Sequence, residues 1–118
     1  MKVTLPLDET KNAVCVSFAR APYLMYVDME SGERVVEVNG AAEAHGGAGI
    51  KAAQDIISNK ADAVITVRCG DNAATAFQAA GIEIYKAEGL DLEENINLFK
   101  EEKLEKLTHF HAGFHGNH

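Results

Sequence analysis

The sequence predicts an α/β fold: one domain with a mixed five-stranded sheet flanked by helices, in the order β-β-β-α-β-α-β-α. Three observations predict it. The first forty residues hold three short segments rich in aromatic and β-branched residues, two of them joined by hairpin chemistry. From Gly49 the apolar spacing changes to that of a helix. The second half then alternates helical runs with short apolar runs, the pattern of parallel strands joined by helical crossovers. Size and composition agree, because 118 residues with 47% hydrophobic and 25% charged content suit one globular core.

The elements follow in order. "KVTLP" is a short strand, closed by Pro6 and the polar stretch Asp8 to Asn12. "YLMYVDME" and "ERVVEVN" are two more strands, with "ESGE" overlapping their ends as the turn. Ile50, Ala53 and Ile57 recur at helical spacing up to Asn59, and "DAVITV" is a continuous apolar run typical of a buried parallel strand. Asp71 or Asn72 caps a second helix that runs through Phe77 to Gly81, a residue suited to the left-handed position after a helix end. "IEIY" is the fifth strand. Asp91 and Glu94 have the spacing of a capping box, and Leu92, Ile96, Phe99, Leu104 and Leu107 are expected on one face of the last helix. Residues 1–108 form the predicted domain, and "HFHAGFHGNH", residues 109–118, has no period and is expected as a His-rich flexible tail.

Composition excludes some functions. A net charge of −7 offers no basic face for counterion release, so nucleic acid is not an expected partner. No run approaches the ~20 apolar residues that cross a bilayer, and "MKVTLPLDETK" lacks the apolar core of a signal peptide, so no membrane contact and a cytoplasmic location are expected. Cys15 and Cys69 are too few for a disulfide scaffold and are expected as thiols.

In such sheets ligands gather at the carboxyl ends of the parallel strands, and "TVRCGDN", residues 66–72, occupies one. Cys69 precedes a helix N-terminus, where backbone N–H groups favour a thiolate, the form that binds metal sulfides; the competing reading is a small residue packed at a strand end. His45 lies in "EAHGGAG", where Gly46, Gly47 and Gly49 let backbone and imidazole approach a ligand; the competing reading is a histidine that hydrogen-bonds a turn. Cys15, in "AVCVSF", is expected to pack.

The stretches "SFARAPYLMYVDMESGE" and "AHGGAGIKAAQDIISNKADAVITVRCGDNAATAFQAAGIEIYKAEG" resemble the dinitrogenase iron-molybdenum cofactor biosynthesis family, over most of residues 1–107. The specific parts are the F-x-R-A-P loop, His45 before the first helix, and the G-x-N-A turn at Gly70, Asn72 and Ala73. The resemblance implies a ribonuclease H-like fold and a non-catalytic role: binding, carrying or chaperoning an iron-molybdenum or other metal-sulfur cluster or its precursor. It also implies cofactor-assembly proteins as partners. Under it, Arg20 is a cofactor contact whose guanidinium neutralises an anionic cluster, the competing reading being a solvated arginine. Gly70 and Asn72 join the cofactor set, with His45 as a metal ligand; Cys69 is a further metal-ligand candidate on its place before a helix rather than through the resemblance. Family members commonly carry His and Gly where this chain has Ser17, Phe18 and Ala19, and Gly where it has Cys69. One plausible ligand is thereby lost and another gained.

Rival readings are weighed by the same chemistry. A ribonuclease H-like nuclease needs clustered carboxylates projecting from the sheet, and "KVTLP" has none. Gly47, Gly49 and Ala52 fit the nucleotide-binding pattern G-x-G-x-x-A, but eight residues, Asn39 to Gly46, separate the first glycine from the preceding strand. A plain interaction domain would present the acidic last helix. In the tail, His109, His111, His115 and His118 can capture a divalent transition metal, at the cost of ordering a flexible chain.

Overall fold

The first strand sits at the centre and is buried on both sides, which is why "KVTLPL" is almost wholly apolar. The computed structural model describes residues 1–43 and 47–108. Within them the order is β1 (Lys2–Leu7), β2 (Tyr23–Asp28), β3 (Arg34–Val38), α1 (Ala48–Ser58), β4 (Ala63–Thr66), α2 (Asp71–Ala79), β5 (Glu83–Lys86) and α3 (Leu92–Lys100). The spatial order is β3-β2-β1-β4-β5. The first three strands are antiparallel, with Lys2 opposite Asp28 and Leu7 opposite Tyr23, and β4 and β5 run parallel to β1. The predicted mixed five-stranded α/β sheet is therefore the observed one.

The period-two alternation of the strands divides the core between two faces. Val3, Leu5 and Leu7 of β1, with Met25 and Val27 of β2, pack beneath Leu92 and Ile96 of α3. On the other face Leu24, Tyr26 and Val64 meet Ala52, Ala53 and Ile56 of α1 and Ala73, Ala74 and Phe77 of α2. The small residues of α1 and α2 let these helices pack side by side: a Cβ built on Gly49 would lie 3.8 Å from the Ala73 Cβ.

Several boundaries differ from the sequence expectation. A 3-10 turn at Gly40–Glu43 precedes α1, which begins at Ala48. The cap of α2 is Gly70 rather than Asp71 or Asn72, both of which lie inside the first turn. The Asp91 cap holds, its carboxylate accepting from the Glu94 N–H at 2.8 Å. The last helix stops at Lys100, and Leu104 and Leu107 belong to opposite faces of the sheet, which one helix face cannot serve. The chain instead runs extended beside β5. The Lys86 N–H donates to the Glu105 carbonyl and the Leu107 N–H to the Ile84 carbonyl, at 2.8 and 2.9 Å, so the β5 edge is covered.

Candidate functional site

The carboxyl ends of β1 and β4 open beneath the loop between β1 and β2. That loop is tied down along its length. The Cys15 N–H donates to the Pro6 carbonyl (2.8 Å) and the Arg68 N–H to the Val16 carbonyl (3.2 Å), while Ser17 forms a parallel bridge with Arg68. The Thr66 hydroxyl, fully buried, donates to the Arg68 carbonyl at 3.1 Å and fixes the turn that leads into α2. Phe18 is the loop's apolar anchor, its ring 5.6 Å from that of Phe77 in α2. These contacts place the F-x-R-A-P loop beside the Cys69–Asn72 turn, with Arg20 exposed at its end.

Asn39, which sequence reasoning passed over, holds this loop in place. Its side chain is buried, and its Nδ2 donates to the carbonyls of Phe18 and Ala21, each at 2.9 Å. Its Oδ1 accepts from the Ala41 N–H at 3.2 Å, joining the loop to the 3-10 turn. In the sequence, an Asn between an apolar strand and Gly40 signals only a turn; its reach to residues 18–21 is a tertiary fact.

The N-termini of α1 and α2 converge on the same region, as the Gly49–Ala73 approach requires. Among the described residues no side chain caps either helix. Their first-turn N–H groups have no intrahelical acceptors and lie at the positive ends of the helix dipoles, an arrangement that favours an anion. Gly47, the α1 cap, has φ 66°, a left-handed conformation that disfavours a side chain, whereas Gly70 is extended at φ −76° and ψ 159°. Gly49 serves helix packing as well as any ligand. These glycines are therefore not interchangeable: a side chain at Gly47 would strain the backbone whether or not a ligand is bound.

Cys69 belongs to the buried cluster that holds Phe18, Ala73 and Phe77, and burial, helped by the nearby Asp71 carboxylate, pushes the thiol up to about 12. Of the two readings of this cysteine, burial favours the neutral thiol packed at the strand end. Its Sγ lies 3.6 Å from the Gly70 carbonyl, in reach for a weak S–H donor. Cys15 is half-buried, and both cysteines are free. Asn72 is exposed in the first turn of α2.

Among the described residues no group of three His, Cys, Asp or Glu side chains is placed to hold a metal ion. His45 and Gly46 lie outside the described residues, as do His109, His111, His115 and His118. What the described part of the site offers is two neighbouring helix N-termini, with the loop that contains Arg20 held beside the Cys69–Asn72 turn. No helix among the described residues is long and apolar enough to cross a membrane.

Residues 1–102 match the model of the dinitrogenase iron-molybdenum cofactor family. An uncharacterized protein of Methanocaldococcus jannaschii is 36% identical over 111 residues, which is 91% of this chain and 92% of that one. The apo form of the orange protein from Desulfovibrio gigas has a similar structure, with TM-score 0.84 at 26% identity, covering 91% of this chain and 92% of the other. A NifB candidate from Thermotoga, solved by NMR, gives TM-score 0.77 at 37% identity over 92% of this chain and 95% of its own.

Proposed function

We propose, from the premise that this chain belongs to the dinitrogenase iron-molybdenum cofactor family, that it binds and carries an anionic metal-sulfur cluster or its thiometallate precursor and does no chemistry on it. The observation that supports the reading best is the approach of the α1 and α2 N-termini, neither capped by a described side chain, with the loop that contains Arg20 tied to the turn before α2. Such a site suits a bulky, diffuse anion, because N–H groups and a guanidinium stabilise negative charge without requiring a bond to the metal.

In this reading Arg20 neutralises charge, Gly47 and Gly70 open the two helix ends, Gly49 keeps those ends close, and Asn72 offers an exposed amide at the rim. His45 and Gly46 are proposed on sequence grounds to complete the α1 side. Cys69 packs beneath the site as a thiol and becomes a ligand only if cargo binding ionises it. Assembly proteins that deliver or receive the cluster are the expected partners.

The test is reconstitution of the anaerobically purified chain with tetrathiomolybdate and iron or copper, followed by metal and acid-labile sulfide analysis. Metal and sulfide retained together in fixed ratio support the proposal. A bare divalent ion without sulfide, lost when residues 109–118 are removed, would instead support tail-driven metal capture.

A further inference from the structure

The two edges of the sheet are treated differently. The β5 edge is covered by residues 105–107, but β3 ends the sheet on the other side and all five of its residues are exposed. Val35, Val36 and Val38 are 48%, 39% and 78% exposed. β3 contains no proline and no lysine, the devices that commonly blunt such an edge.

The hydrogen-bond phase identifies which backbone groups are on offer. The Asp28 N–H donates to the Glu33 carbonyl and the Asn39 N–H to the Pro22 carbonyl, so odd-numbered residues of this segment face β2. The alternation of an antiparallel ladder then points the N–H and C=O groups of Arg34, Val36 and Val38 outward. Glu33 and Glu37 flank Val35 on the α1 side of the sheet, where with Asp28 and Lys2 they line a cleft of about 250 Å³; the Lys2 ammonium lies 5.8 Å from the Tyr26 ring and donates to the Asn59 carbonyl at 2.7 Å, which leaves three carboxylates to one cation. Among the described residues neither carboxylate has an ion-pair partner; Arg34, on the other face, is already engaged with Glu93 at 2.6 Å.

We propose that the β3 edge is a docking strand for an extended segment of a partner protein that carries two basic residues four positions apart, set between β-branched residues. Added antiparallel, that segment would meet the outward groups of Arg34, Val36 and Val38. Its basic side chains would stand opposite Glu33 and Glu37, with their stems over Val35, and its apolar residues opposite Val36 and Val38. A second copy of this chain fits badly. Edge-to-edge pairing about a two-fold axis normal to the sheet keeps the faces matched, so its residue pairs must be odd with odd. One such register sets Glu33 against Glu37 twice, the next sets Glu37 against itself, and the register between them leaves Val35 against Glu37 twice. Two chains of net charge −7 add a general repulsion.

The experiment titrates the full ¹⁵N-labelled chain with a capped eight-residue peptide of alternating valine and threonine bearing two lysines four positions apart. Saturable shifts of the Arg34, Val36 and Val38 amides are expected, weakened about fivefold in the E33Q/E37Q double variant and by added salt. Val36→Pro removes an outward donor without touching the ladder to β2, and should abolish the shifts while the unfolding midpoint stays near that of the parent. The same peptide with glutamate for lysine should not bind. Equal binding of the glutamate peptide, saturable shifts only elsewhere on the chain, or concentration-dependent shifts of these amides without peptide, the mark of self-association, would each overturn the proposal.

Discussion

Replacing Asn39 with alanine tests whether one buried amide holds the loop that carries Arg20. The change removes two donated hydrogen bonds of 2.9 Å and one accepted bond of 3.2 Å, and it strands the Phe18 and Ala21 carbonyls in a buried setting. At roughly 0.5–1.5 kcal/mol per bond, the expected loss is about 2–4 kcal/mol. Unfolding entropy for a chain of this length converts that to a fall in Tm of about 8–16 °C. Urea and thermal unfolding by circular dichroism read the loss, and amide shifts report whether it centres on residues 18–21. Asn39→Asp adds a control of opposite pH dependence. A carboxylate facing two carbonyl oxygens is disfavoured in the fold, so its folded pKa rises above the unfolded value. Its stability relative to Asn39→Ala should therefore fall as pH rises through and above the ordinary carboxylate range. A loss below about 1 kcal/mol in Asn39→Ala, with shifts spread over the whole chain, would refute the reasoning.

The remaining predictions concern the glycines, the buried thiol and the cation. Gly47→Ala should destabilise by about 1–2 kcal/mol because its φ is left-handed, whereas Gly49→Ala, which meets Ala73 at ordinary contact distance, should be neutral or gain up to about 1 kcal/mol in urea unfolding. Cys69 ionises less readily folded than unfolded, so the unfolded state is favoured as pH rises from about 9 towards about 12. Comparing the parent with Cys69→Ala at pH 8 and pH 9.5 should show about 0.8 kcal/mol lost only in the parent, and parallel pH profiles would disprove a buried neutral thiol. Iodoacetamide at neutral pH should label Cys15 before Cys69, read by peptide mass spectrometry. Arg20→Gln should weaken thiometallate retention several-fold, an effect that added salt should reduce.

The architecture was legible because each element is locally consistent with the whole. The apolar run at 63–66, the helical spacing from Ile50 to Ile57, the Asp91–Glu94 pair and the positive-φ Gly81 all point where the structure goes. What was missed depends on tertiary partners. Leu104 and Leu107 mimic a helix face in spacing yet pack on opposite sides of the sheet. Cys69 precedes a helix, but it is buried in a cluster whose other members include Phe18 and Phe77 from distant segments, and that burial raises its pKa. The importance of Asn39 rests on its two bonds to residues 18 and 21, a segment that folding alone brings near it, and the openness of β3 rests on strand order. The F-x-R-A-P loop and the G-x-N-A turn were recognisable as motifs, and their proximity is set by the Arg68–Val16 bond and the Ser17–Arg68 bridge.

The central claim is that the folded core carries an anionic metal-sulfur cargo through N–H groups and a guanidinium. The most direct measurement is anaerobic titration of the full chain, of a chain ending at Thr108, and of the Cys69→Ser variant with tetrathiomolybdate and iron or copper, with metal and acid-labile sulfide counted per chain after gel filtration. The account predicts equal retention of metal and sulfide together in all three, and progressive release as ionic strength rises. It is contradicted if no sulfide is retained, or if uptake disappears with residues 109–118 and what remains bound in the full chain is a bare divalent ion.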